Sequence, residues 1–194
     1  MIGELPQDLK FGGGKTTVEI GDNTIIREFT SIHRGTHARA KTTIGNNCFL
    51  MAYTHIAHDC KVGNNVTFIN LATLGGHVEV EEWAMLSGSV MVHQFVRIGA
   101  HAIIGGNYRV SQDVPPFITA VGDPLRYAGI NTVGLKRRGF SSDERMEIKR
   151  AYRIFFRSGM KKAEALDRLK AEFTNSKNVS HIIDFITKSE RGII

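Results

Sequence analysis

Two cysteines in 194 residues cannot form a disulfide framework, so covalent cross-links are not what holds this chain together. No apolar run approaches the roughly 18 to 20 residues that a membrane-spanning helix needs. Met1 to Lys15 also lacks the basic-then-apolar pattern of a signal peptide. These absences predict a soluble protein kept in a reducing, cytoplasmic compartment. Acidic residues are in short supply: 19 Asp and Glu face 25 Lys and Arg, for a net charge of +6. That balance favours an acidic partner such as a nucleic acid, an anionic membrane or an acidic carrier protein, although a plain basic surface has the same charge.

What the chain has in abundance is a period of six. From Ile44 to Val110 every sixth residue is apolar: Ile44, Leu50, Ile56, Val62, Phe68, Leu74, Val80, Leu86, Val92, Ile98, Ile104 and Val110. A helix repeats near 3.6 residues and a strand at 2, so this spacing needs another geometry. Hexapeptide repeats belong to parallel β-helices. The residue two before each apolar site is nearly always small or β-branched, from Thr42 and Cys48 to Val96 and Ala102. One long and one small inward residue per hexad suit a short strand on each face of a triangular prism. Three hexads then close a coil of 18 residues. Gly45, Gly63, Gly75, Gly99 and Gly105, each directly after the long residue, fit corners that demand either a positive φ or a crowded backbone. Cys48 and Cys60 fall on inward small positions, which predicts buried thiols.

In chain order, Met1 to Lys15 reads as an exposed Gly-rich loop. The hexad register begins at Ile20, Ile26 and Ile32. Arg34 to Lys41, with charges where a strand belongs, reads as an excursion that either reaches a phosphate or a neighbouring subunit or lies as an ordered surface flap. After Val110 the segment SQDVPPFITAVGDP should leave the prism, because Pro115 and Pro116 cannot continue a ladder. From Ser141 the pattern turns helical. Ser141 or Ser142 can cap, Glu144 follows, and Ile148, Ala151, Tyr152 and Phe155 share one face before Gly159. Two more amphipathic helices fit Lys161 to Phe173 and Val179 to Ser189. The expected organisation is residues 1–17 as a loop region, 18–122 as a β-helix with an excursion near 34–41, and 123–194 as a linker followed by a helical domain.

The 18-residue spacing also gathers polar residues. His58, the pair Gly76 and His77, and the pair His93 and Gln94 follow Ile56, Leu74 and Val92 in successive coils, roughly 4.8 Å apart. With His55, four histidines lie near one edge beside Asp59, a pattern that points to chemistry more than to packing.

HIAHDC at His55–Cys60, GGH at Gly75–His77, VHQF at Val92–Phe95, SQDVPPF at Ser111–Phe117 and GLKRRGFS at Gly134–Ser141 together resemble the UDP-N-acetylglucosamine O-acyltransferases. That family catalyses the first step of lipid A synthesis on a left-handed hexapeptide β-helix. The resemblance covers essentially the whole chain. It implies a homotrimer that moves an (R)-3-hydroxyacyl group from acyl carrier protein to the 3-hydroxyl of UDP-N-acetylglucosamine, with no cofactor, no metal and no nucleic acid. His58 would be the general base, Asp59 its orienting partner or a sugar ligand, and Gly76 the oxyanion donor. Asp8 and Lys10, in a QDLKF loop at Gln7–Phe11, would contact the sugar and its phosphate. His55, His77, His93, Gln94, Asn131, Arg137 and Arg138 would be further substrate contacts. Gly88, Ile103 and Gly106 would line the acyl groove, the small Gly106 implying a long chain, and the basic Lys136 to Arg138 run would suit the acidic carrier.

Two departures stand out. Relatives carry additional coils ahead of the position of Met1, so the chain resembles a member lacking its first N-terminal coils. They also carry an acidic residue where this chain has Val133, which implies an altered grip on the nucleotide. Three other readings share the motif: a γ-type zinc carbonic anhydrase with three converging histidines, a coenzyme A-dependent sugar acetyltransferase, and a non-catalytic scaffold.

Overall fold

The computed structural model describes residues 1–194. Its body is a left-handed parallel β-helix of three sheets. The first face stacks Ile2–Glu4, Ser31–His33, His55–Ile56, Thr73–Leu74, Met91–Val92 and Arg109–Val110. The second stacks Thr17–Ile20, Lys41–Ile44, Lys61–Val62, Glu79–Val80 and Arg97–Ile98. The third runs from Ile25–Ile26 through Phe49–Leu50, Thr67–Phe68, Met85–Leu86 and Ile103–Ile104 to Ile118–Val121 and Arg126–Ile130. From Lys41–Ile44 to Arg109–Val110 neighbours pair in register at a spacing of 18, Ile56 on Leu74 and Leu74 on Val92, while the coil that carries the excursion takes 24, Ser31 on His55. All twelve long residues of the repeat are buried. Each stabilises the prism by roughly 1.5 to 3 kcal/mol relative to exposure.

The corners resolve the two readings of the glycines. Positive φ falls three residues after every long apolar residue from Ile44 to Ile104, on non-glycines such as Asn47, Tyr53, Asp59, Asn65, His77, Trp83 and His101. The glycines one residue after the long position are there for crowding instead. A Cβ on Gly75 would lie 2.8 Å from the Gln94 backbone nitrogen in the next coil. Both thiols are buried and free, their S–H groups facing the Gly63 and Gly75 carbonyls at 3.1 and 3.2 Å. Burial pushes the Cys60 thiol up to about 12.

Three sequence expectations need correction. Ile2–Glu4 is a strand, paired with Ser31–His33; its side chains are all exposed, so no apolar alternation marked it. The chain also does not leave the prism at Ser111. Val114 bridges to Ile98, and Ile118–Val121 joins the third face parallel to Ile103–Ile104. Pro115 and Pro116 fall between these pairings, where a missing N–H removes no ladder bond. Finally, the stretch assigned to a linker after residue 122 begins with an antiparallel strand, Arg126–Ile130, on Ile118–Val121.

Four helices follow: α1 (Thr132–Arg137), α2 (Ser142–Arg157), α3 (Lys162–Glu172) and α4 (Lys177–Thr187). Ser141 caps α2 in a reciprocal box with Glu144, and Lys161 and Phe173 flank α3. α4 begins before Val179 because Ser176 caps it. The short α1 carries no amphipathic signal of its own. The helices dock on the prism through Tyr152, fully buried, whose hydroxyl donates to the Pro116 carbonyl at 2.5 Å, and through His181, paired with Glu81 at 2.8 Å. No helix is long and apolar enough to cross a membrane.

Candidate functional site

Where the first face turns into the second, successive coils present His58–Asp59, Gly76–His77 and Gln94–Phe95. His58 Nδ1 lies 2.8 Å from Asp59 Oδ2. Residues adjacent in sequence normally diverge; here the left-handed φ of +60° at Asp59 turns both side chains to the same side of the corner.

The excursion, which spans residues 34–40 because Lys41 already belongs to a strand, explains how Asp59 stays fully buried. Thr36 donates its N–H to Oδ1 at 2.9 Å and its hydroxyl to Oδ2 at 2.7 Å, while Arg39 donates its N–H to Oδ1 at 3.2 Å. Arg39 is tied down in turn by Glu79 at 2.6 Å. Burial pushes the Asp59 carboxyl up, but the hydrogen bonds from Thr36 and His58 outweigh it and hold the group below the ordinary carboxylate value. Among the alternatives for 34–41, its contacts within the chain are those of a flap folded over a carboxylate.

With Asp59 accepting at Nδ1, His58 turns Nε2 outward. That nitrogen faces Gly76: a Cβ there would sit 2.7 Å from it. The Gly76 N–H has no acceptor within the chain. His77 approaches edge-on, with ring centroids 5.2 Å apart, keeps Nε2 3.7 Å from Asp59, and stacks on Phe95 at 4.6 Å. Burial pulls the His77 imidazole below its ordinary value, favouring the neutral ring. The N-terminal loop covers the group. Gln7, Asp8, Leu9 and Lys10 meet His58, His77, Gln94 and Phe95 around a cleft of about 450 Å³. An Asp8 turn shapes the loop, its side chain accepting the Lys10 N–H at 2.9 Å.

His58, Asp59, Gly76, His77, Gln94, Asp8 and Lys10 thus come together. His55 lies on the flat first face, bonded to Ser31 at 2.8 Å and packed edge-on against His33. His93 sits near the edge, its Nδ1 3.2 Å from Arg191. Gln7, Leu9 and Phe95 were missed as lining, although they lie inside the motifs that flagged their neighbours. Thr36 and Arg39 were missed because nothing in the sequence ties them to Asp59.

Asn131, Arg137, Arg138 and Ile103 lie elsewhere, around a cavity of about 650 Å³ with Trp83, Met85, His101, Val133 and Gly134. This is the edge between the second and third faces. The Asn131 amide is engaged at both ends, donating to the His101 carbonyl at 2.8 Å and capping α1 through the Gly134 N–H at 2.9 Å. Arg138 stacks over Trp83 at 5.0 Å. Burial, then the Arg138 charge, pushes His101 down to about 4. Gly88 and Gly106 stack on the third edge, where a Cβ on Gly106 would meet the Gly88 carbonyl at 3.2 Å. The three sets of residues therefore occupy three different edges of one prism.

His58, Asp59 and His77 offer metal-ligand atoms within 4.8 Å of one another. That donor set is two imidazoles and a carboxylate already holding Thr36, not the three imidazoles that the anhydrase reading requires.

Residues 113–194 match the family model for UDP-N-acetylglucosamine O-acyltransferase domain 2, and residues 41–76 match the bacterial transferase hexapeptide model. The acyl-[acyl-carrier-protein]--UDP-N-acetylglucosamine O-acyltransferase of Janthinobacterium sp. (strain Marseille) is 49% identical over all of this chain and 76% of its own length. Its namesake in Thiobacillus denitrificans is 47% identical, with 75% of its length covered. The UDP-N-acetylglucosamine acyltransferase of Bacteroides fragilis superposes with a TM-score of 0.97 at 46% identity, over 100% of this chain and 76% of that one. The Francisella novicida enzyme gives 0.95 at 41%, over 99% and 71%.

Proposed function

The chain belongs to the UDP-N-acetylglucosamine O-acyltransferases, and from that premise we propose how its residues carry out the reaction. The enzyme transfers an acyl group from acyl carrier protein to UDP-N-acetylglucosamine, the first step of lipid A synthesis. The observation that carries the mechanism is the buried His58–Asp59 pair, whose free Nε2 faces an unobstructed Gly76.

His58 Nε2 takes the proton of the sugar 3-hydroxyl as its oxygen attacks the 3-hydroxyacyl thioester carbon. The carbonyl oxygen becomes negative in the tetrahedral stage and is met by the Gly76 N–H. Collapse breaks the carbon–sulfur bond. The thiolate leaves on the carrier and receives the proton back from His58, so atoms and charge balance without a covalent enzyme intermediate. Asp59 stabilises the imidazolium and fixes its tautomer. Lys10 supplies a cation for the nucleotide phosphates, with Asp8, His77 and Gln94 as polar contacts to the sugar.

The active unit is a homotrimer. Support comes from the distribution of residues over three edges. Only an assembly that apposes edges of different copies unites His58 with Arg137 and Ile103 and with the edge that carries Gly88 and Gly106. In that arrangement Arg137 reaches the nucleotide phosphates, Asn131 holds the start of α1, and exposed Lys136 faces the acidic carrier. The buried free thiols support a cytoplasmic site of action.

The test is donor choice. The purified protein should use 3-hydroxyacyl carrier protein with UDP-N-acetylglucosamine, run in sedimentation at three times the 21.5 kDa chain, and leave carbon dioxide unhydrated. Turnover with acetyl coenzyme A alone favours the acetyltransferase reading, and zinc-dependent hydration favours the anhydrase.

A further inference from the structure

Past α4 the chain returns to the prism and is clamped to one buried residue, Asp113. The Ser189 hydroxyl donates to Asp113 Oδ2 at 2.7 Å, the Asp113 N–H donates to the Gly192 carbonyl at 2.8 Å, and the Ile194 N–H donates to the Asp113 carbonyl at 3.2 Å. Asp113 Oδ1 is held by the Arg97 N–H at 2.8 Å. Arg191 lies inside this clamp. Its Nη2 sits 3.2 Å from His93 Nδ1 and 3.4 Å from the Ser111 carbonyl. His93 Nδ1 also lies 3.2 Å from the Gln94 carbonyl.

The two neighbours of Nδ1 make opposite demands. The Gln94 carbonyl only accepts and asks for a proton on Nδ1; a guanidinium only donates and asks for a lone pair there. An Nδ1–H would also point a partial positive charge at a permanent cation. We infer that Arg191 is a positioning residue that holds His93 in its Nε2–H tautomer, so that His93 presents a hydrogen-bond donor to an acceptor oxygen of the substrate. The inference rests on the reading of His93 as a substrate contact.

The experiment pairs histidine tautomer spectroscopy with kinetics. Protein carrying nitrogen-15 histidine is compared with Arg191→Met, the His93 signals being assigned by their loss in His93→Gln. The wild type should show a protonated Nε2 and a bare Nδ1, and Arg191→Met should shift the ring toward the Nδ1–H form. Arg191→Met should raise KM for one of the two substrates about two- to tenfold, the range for one hydrogen bond, with kcat little changed. In the His93→Gln background the same substitution should change nothing further. A wild-type Nδ1–H tautomer, or penalties that multiply in the double variant, overturns the inference. If His93→Gln leaves both kinetic constants unchanged while the wild type shows Nε2–H, the substrate-contact reading fails and the Arg191–His93 pairing is supported by the spectrum.

Discussion

His58 and Asp59, neighbours in the chain, are also hydrogen-bonded partners, Nδ1 to Oδ2 at 2.8 Å. The base and the orienting carboxylate that we propose are here supplied by a single turn. The Asp59 backbone in the left-handed region, at an energetic cost on the order of 1 kcal/mol or more, makes this possible. The flap that donates to Asp59 from Thr36 and Arg39 offsets that cost.

Replacing Asp59 with Asn leaves donors facing a donor. The loss should be about 1 to 3 kcal/mol, the cost of unsatisfied buried groups. Because the folded carboxyl sits below its ordinary value of 3.8, its contribution is present above that pH and is lost as pH falls through the lower folded value. The gap in Tm between wild type and Asp59→Asn should therefore be full at neutral pH and close in strong acid. A constant gap across that range contradicts the assignment.

The His181–Glu81 pair should show the opposite dependence. The hydrogen bond to Glu81 raises His181 above its ordinary 6.5, so its stabilisation is full below that value and fades as pH rises through the folded one. Thermal melts of His181→Gln should differ from wild type more at pH 6 than at pH 9, with α4 loosened from the prism.

Gly76→Ala tests the corner itself. The added Cβ would lie 2.6 Å from His58 Cε1, so the imidazole must move. Gly76 does not use a left-handed φ, and the fold should survive with an almost unchanged Tm. The rate constant should fall on the order of 10²-fold, the cost of displacing a reacting group by about 1 Å.

Gly106→Met tests the groove. Its side chain would project past the Gly88 carbonyl, and competition between donors should shift toward shorter acyl chains, about tenfold for each methylene that no longer fits. Unchanged preference removes Gly106 from the acyl path.

The prism was legible because one inward residue in six must be apolar whatever else the coil does, and Ile44 to Val110 obey that rule without a break. His58, Gly76 and Gln94 could be placed along one edge by the same arithmetic. The hairpin at Ile118–Ile130 was hidden because prolines argue against a ladder only where an N–H is required, which sequence alone does not reveal. Thr36 and Arg39 were illegible for a different reason: a flap's hydrogen bonds to a residue some 20 positions away leave no period. His55 and His93 carried the right residue type, yet within one chain they face different partners, Ser31 and Arg191.

The most direct test is acyl transfer to radiolabelled UDP-N-acetylglucosamine from 3-hydroxyacyl carrier protein, run with the wild type and His58→Ala. Turnover should be clear in the wild type and fall by about 10² to 10⁴ in the variant, the usual contribution of a general base. Equal rates in the two proteins would show that His58 is not the base and contradict the mechanism built on its pairing with Asp59.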